Sequence, residues 1–189
     1  TDPVVDSAAV VREVQALARG ACCDVQPAAA LTVGMAVERL APMAELVALG
    51  VRLFYDEGGG ARDSRLLRRA LEYAADLGLV VGDTPEDEAL ARGGCAHEGE
   101  WASRLGLAGI PAEAEELAVM RDLALARLTG GSLYLQRLST ASSLAMAAAA
   151  RAGGVDVSVA VTPHHGLLTD AALEGYDPLH RFHPPLRPE

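Results

Sequence analysis

Apolar residues recur at helical spacing in several segments of the chain and run together in short stretches between them. Leu66, Leu67, Ala70, Leu71 and Ala74 mark one face of a helix over residues 65–77, with Asp63 or Ser64 before it and Gly78 after it. Leu79-Val80-Val81-Gly82 then reads as a strand buried on both faces. Residues 132–136 form another short strand, Ser139-Thr140 caps an Ala-rich helix over 141–152, Gly153-Gly154 stops it, and a β-branched run follows over 155–161. That is a βαβ unit, and Arg137 stands at its first strand end, the side on which parallel α/β folds keep their chemistry.

The same reading extends along the chain. Asp6 or Ser7 opens a helix to about residue 19 with Val10, Val14 and Leu17 inward, and residues 22–31 read as a buried strand weakened by Pro27. Residues 33–40 form a loop, and Pro42 opens a short helix with Met43, Leu46 and Val47 inward. Residues 51–55 are the next strand, ending in Asp56-Glu57-Gly58-Gly59-Gly60. Pro111 opens the longest helix, to about Leu128. A polar, Pro-rich tail runs over 181–189. About five strands alternating with helices predict an α/β fold with a parallel sheet. The first strand is not followed by Gly-x-Gly-x-x-Gly, which disfavours a dinucleotide fold.

Composition narrows the chemistry. The 189 residues are half hydrophobic, enough for one sizeable core. The net charge of −10 argues against nucleic acid and against an anionic membrane as partners. No apolar run reaches the roughly 18 residues of a membrane helix, and no signal peptide is evident, so a cytoplasmic protein is expected. Cys22, Cys23 and Cys95 lack metal spacing and are expected to be buried free thiols. The chain contains neither Lys nor Asn. A P-loop lysine, a Schiff-base lysine and a carbamylated lysine bridging two metals are therefore excluded.

Five stretches carry a family resemblance. They are Thr1-Asp2-Pro3-Val4-Val5-Asp6; Phe54-Tyr55-Asp56-Glu57-Gly58; Glu98-Gly99-Glu100 with Gly109-Ile110-Pro111-Ala112-Glu113-Ala114-Glu115; Leu138-Ser139-Thr140; and Thr162-Pro163-His164-His165 with Pro184-Pro185-Leu186-Arg187. In order and spacing they resemble the dihydroorotases of the metal-dependent cyclic amidohydrolase superfamily. The resemblance implies a (β/α)8 TIM-type barrel of which residues 1–189 are the central part, with the first and last barrel strands not in the chain. In that family zinc activates a water that opens the cyclic amide of dihydroorotate in pyrimidine biosynthesis.

Carried over position by position, the resemblance implies altered metal ligands. The bridging Asp of the fourth-strand motif falls on Glu57, the fifth-strand His on Thr84 and the sixth-strand His on Arg137. The Asn of a late substrate-loop motif falls on His183, and its Arg on Arg187. Arg cannot ligate zinc, because its guanidinium stays protonated, and Thr is a poor replacement for imidazole. The expectation is a pseudoenzyme with no cofactor, in which Arg137 pairs with Glu57 and also with Asp56. Silent homologues of this kind assemble with aspartate carbamoyltransferase, so an oligomer and that partner are expected. The alternative is an active zinc-dependent cyclic amidohydrolase of which this is a segment.

The other polar residues have plainer readings. His164 and His165 are expected to pack at a strand end, and His97 to lie on a loop rather than share a metal with Cys95. His180 and His183 are expected to be solvated or substrate-loop residues of the tail. Asp83, Glu86 and Asp87 are expected to cap the following helix. Ser139 has no adjacent base and is not a nucleophile. Gly58-Gly59-Gly60 reads as a strand-end loop.

Overall fold

The computed structural model describes residues 2–56 and 63–189. Glu57 and Gly58-Gly59-Gly60 lie outside the described residues, and with them the expected Arg137–Glu57 pair. The main sheet has four strands, β1 (Leu53–Phe54), β2 (Val80–Asp83), β5 (Ser132–Leu135) and β6 (Val157–Val159), in that spatial order. All are parallel, in register Leu53↔Val80, Val81↔Leu133 and Leu133↔Val157. Ala29 adds a parallel bridge to Phe54 on the outer side of β1. Each strand therefore lies beside its predecessor in the sheet, with no reversal of strand order. A doubly wound sheet reverses its order, whereas a (β/α)8 barrel does not, so this is an arc of such a barrel.

Between β2 and β5 the chain makes an excursion: α4 (Glu88–Ala91), β3 (Ala96–His97), α5 (Glu100–Leu105), β4 (Gly109–Ile110) and α6 (Glu113–Thr129). β3 and β4 pair in parallel with each other and form a separate small sheet. The outer layer is α3 (Ser64–Leu77), α6 and α7 (Ala141–Ala152), with α6 packed between the other two. Before the main sheet come α1 (Ala8–Ala18) and α2 (Met43–Val47), and α8 (Pro163–Leu167) follows β6.

Local chemistry sets these boundaries. Asp63 caps α3 by accepting from Arg65 N, and Gly78 ends it in the left-handed region at φ 64°. Thr140 caps α7 by accepting from Ser143 N. Asp87 caps α4 by accepting from Ala89 N and Leu90 N, as expected of the acidic cluster. The predicted inner face of α3 is buried residue for residue: Leu66, Leu67, Ala70, Leu71 and Ala74. It packs on Val81, Leu133 and Leu135, and each fully buried Leu contributes about 1.5–3 kcal/mol. At Gly131 an added Cβ would stand 2.8 Å from Leu71 O, so only glycine lets β5 start this close to α3.

Four expectations fail. Cys22 and Cys23 are exposed and Cys95 is half-buried, so the thiols do not belong to the core. Residues 22–28 form no strand, and burial begins only at Ala29. Leu17 points outward, 75 % exposed, because Val11 rather than Leu17 faces the core. His97 lies on β3, not on a loop.

Candidate functional site

The C-terminal ends of the parallel strands gather most of the polar residues singled out by sequence. At the end of β1, Asp56 is buried, and its carboxylate accepts from Leu31 N at 2.8 Å, Thr32 N at 3.0 Å and the Thr32 hydroxyl. These contacts place Asp56 on the loop beyond Ala29 rather than on Arg137. Where a pair with Arg137 was expected, the described contacts of Asp56 are two amides and a hydroxyl of Leu31 and Thr32, which take three of the about four acceptor positions of the carboxylate.

Thr84 follows β2 and Arg137 follows β5, and the parallel register brings the two together. Arg137 Nη2 donates to Thr84 Oγ1 at 3.3 Å. Arg137 has φ +55°, a left-handed conformation uncommon for a residue with a side chain. His183 comes in from the tail, and its Nε2 lies 3.1 Å from Glu86 Oε1. The hydrogen bond to Glu86 raises the His183 pKa above its ordinary value against the opposing effects of burial and of Arg137. Two positions that the sequence assigned to former ligands therefore touch each other, with a third candidate, His183, near enough to feel the Arg137 charge.

Just past Arg137 the strand end is pinned by a group that the sequence reading did not assign. Glu115 on α6 is buried and accepts from Ser139 N at 2.9 Å, from Thr140 N at 3.1 Å, and from both hydroxyls. Arg187 enters from the tail, donating through Nε to Ser139 Oγ at 3.0 Å and through Nη1 to Ile110 O at 3.2 Å. The same Nη1 lies 2.9 Å from His97 Nδ1. A guanidinium has no acceptor, so His97 Nδ1 must accept, which requires the neutral ring. Burial and the Arg187 charge both lower the His97 pKa in keeping with that. Burial lowers the Arg187 pKa while Glu115 and Glu116 favour its charge. One network thus ties α6, the β5–α7 loop, the small sheet and the tail together.

A further buried acid is Asp122, about two helical turns beyond Glu115 on α6. Burial, and then the adjacent Asp83 carboxyl, raise its pKa well above the ordinary carboxylate range, against the opposing pull of Arg121. Arg121 bridges Asp122 at 2.7 Å and Asp83 at 3.3 Å. Burial and the Asp83 carboxyl thus both disfavour a negative charge on Asp122. Glu115 and Asp122 share the inner face of α6 with Ala118 and Val119, so an acid at each of two core-facing positions of one helix was the signal that could have found them.

His164 and His165 pack. His165 bridges Thr162 Oγ1 at 2.8 Å and Pro184 O at 3.0 Å, and His164 stacks on Phe182 with ring centroids 4.4 Å apart. Ser139 is engaged by Glu115 and Arg187, with no histidine on its hydroxyl among the described residues. Zinc needs imidazole, thiolate or carboxylate donors converging on one point. Among the described residues no three such side chains converge, and the Arg137–Thr84 contact supplies none. The described donor set does not fit the ion.

The Dihydro-orotase-like family matches residues 1–143. The chain is 43 % identical over 187 residues to a dihydroorotase of Pelotomaculum thermopropionicum, an alignment covering 99 % of this chain and 44 % of that relative. It is 42 % identical over 190 residues to a dihydroorotase of Mycobacterium tuberculosis, again 99 % of this chain and 44 % of that protein. The chain thus spans less than half the length of the curated relatives it matches. A solved D-hydantoinase superposes with TM-score 0.71 at 24 % identity, covering 95 % of this chain and 42 % of that one. A dihydropyrimidinase from Brevibacillus agri gives TM-score 0.59 at 27 % identity over 77 % of this chain and 35 % of that one.

Proposed function

Because this chain belongs to the dihydroorotase-like family, we propose that it is a pseudo-dihydroorotase: a barrel of pyrimidine biosynthesis that has lost zinc and hydrolysis and acts as a scaffold for aspartate carbamoyltransferase. The observation that carries this reading is the Arg137–Thr84 contact. It puts a permanent cation and a hydroxyl at two positions where the family resemblance asks for imidazoles. A guanidinium there supplies the positive charge of an ion without its Lewis acidity or its bound water.

The pins around this contact fit a scaffold. Asp56 and Glu115 hold the ends of β1 and β5 without involving the open face, so the strand ends keep their shape when the chemistry is gone. The second reading is an active cyclic amidohydrolase, and the 43 % identity to a dihydroorotase twice as long favours it. In that case the ligands come from residues beyond those aligned here.

The test is dihydroorotate hydrolysis by the intact protein, with zinc added, together with co-elution from a sizing column with aspartate carbamoyltransferase. Co-elution without turnover is the expected result. Turnover that rises with zinc overturns the pseudoenzyme reading, and separate elution overturns the scaffold reading.

A further inference from the structure

Five acids are buried among the described residues, and four of them have partners. Asp56 and Glu115 accept from amides and hydroxyls, and Asp83 and Asp122 pair with Arg121. The fifth is Asp170, which opens a 3-10 turn (Asp170–Leu173) and is 6 % exposed. Its backbone N–H donates to Arg187 O at 3.1 Å. Its carboxylate accepts no hydrogen bond and forms no ion pair among the described residues. A buried charge without a partner is costly. Asp170 lines a cavity of about 310 Å³ that lies between this turn, the end of β3 and the start of α5.

The other walls give the cavity its chemical character. His97 Nδ1 accepts from Arg187 Nη1, so the neutral ring carries its hydrogen on Nε2. That edge of the ring faces Gly99, whose backbone is extended at φ 179° and open to any residue. A Cβ at Gly99 would nevertheless stand 3.2 Å from His97 Cδ2 and 3.5 Å from Nε2. The glycine thus leaves an N–H donor uncovered beside the cavity. Glu100, on the rim, is taken by Arg104 at 3.2 Å, and Arg104 also lies over the Trp101 ring, 4.7 Å from its centroid. What remains is one buried carboxylate and one neutral donor. Among the described residues no three acids, histidines or cysteines converge, so the pair does not suit a bare metal ion. It suits a molecule that brings its own charged N–H groups to Asp170 and an oxygen to His97. The volume stands at the small end of ligand pockets, which hold roughly 300–1,000 Å³.

We infer that this cavity is a binding site for a small primary amine bearing an oxygen acceptor, its ammonium on Asp170 and its oxygen on His97 Nε2–H. Thr84, Arg137 and His183 stand outside the lining, so the site does not depend on the metal reading.

Trp101 is the single tryptophan of the chain and lines the cavity, so its fluorescence reads occupancy directly. Titration of the intact protein with ethanolamine at constant ionic strength is expected to shift the Trp101 emission saturably. Ethylene glycol, which has the oxygen without the charge, is expected to give no saturable shift. Asp170→Asn should weaken ethanolamine binding at least about tenfold. Gly99→Ala, which fills the space beside His97, should weaken it as well, and Asp76→Asn on the exposed side of α3 should leave it unchanged. Thermal melts verify that each variant folds, and if Asp170→Asn does not fold, Gly99→Ala decides. A wild type without a saturable shift, ethylene glycol that binds as well as ethanolamine, or an Asp170→Asn or Gly99→Ala protein that binds like wild type overturns the inference.

Discussion

The strand ends divide into a pinned region and an open one. In the pinned region, the buried carboxylates of Asp56, after β1, and of Glu115, on α6, accept from backbone amides and hydroxyls at the ends of β1 and β5. In the open region, Arg137 meets Thr84 and His183 meets Glu86. Both regions are rich in the side chains that hydrolases use. The difference lies in where their hydrogen bonds go: backbone amides take part in one case, while in the other the described contacts run between side chains alone. An acid near a barrel mouth therefore says little about chemistry until its acceptor sites are counted.

The sharpest break of this comparison is at Glu115. Glu115→Ala leaves the buried amide of Thr140 and the half-buried amide and hydroxyl of Ser139 without their carboxylate acceptor, and is expected to cost about 3–5 kcal/mol in urea unfolding. Glu115→Gln should cost less, since one oxygen remains to accept. Little change in the midpoint for Glu115→Ala would show that the pin is dispensable. Asp56→Ala is next, with an expected loss of about 2–3 kcal/mol from the amides of Leu31 and Thr32, read by the same melt.

Asp122 sharpens the comparison from a different side, because it is a buried acid whose charge is disfavoured by burial and by Asp83. Its folded pKa lies above the unfolded value, so the folded state binds the extra proton and stability falls as pH rises from about 4 toward the folded pKa. Asp122→Asn mimics the protonated form. It should flatten that slope and raise Tm at pH 7 relative to wild type, and an unchanged slope would contradict the raised pKa of Asp122.

The smallest expected effect is at His183, whose partner raises its pKa. The pair's contribution is fully present below the unfolded His value and fades as pH rises through the folded one. Glu86→Gln should lower the His183 pKa in an NMR titration. The side chains are partly exposed, so little change in overall stability is expected.

How much of this was legible in the sequence depended on the kind of signal. α3 and α7 could be read nearly to the residue because each has a capping side chain, a helical stripe and a terminal glycine. β3 and β4 could not, because two-residue strands have no period to detect. The run from Cys22 to Leu31 misled because a short apolar stretch carries no direction, and only its last residues reach the sheet. The meeting of Thr84 with Arg137 was approachable because strand register makes neighbours of successive strand ends. Glu115 was quoted as part of a family block, yet its partners Ser139 and Thr140 lie on another element. No spacing rule links an acid on one helix to the loop before the next.

The central claim is that a cation of the chain stands where the family holds a metal. Zinc content per chain, measured after equilibrating the intact protein with excess zinc and removing the unbound ion, tests it most directly. The account predicts fewer than about 0.1 zinc per chain, because guanidinium and hydroxyl offer no ligand. One or two zinc ions per chain would contradict it and would make this protein a metal-loaded member of its family.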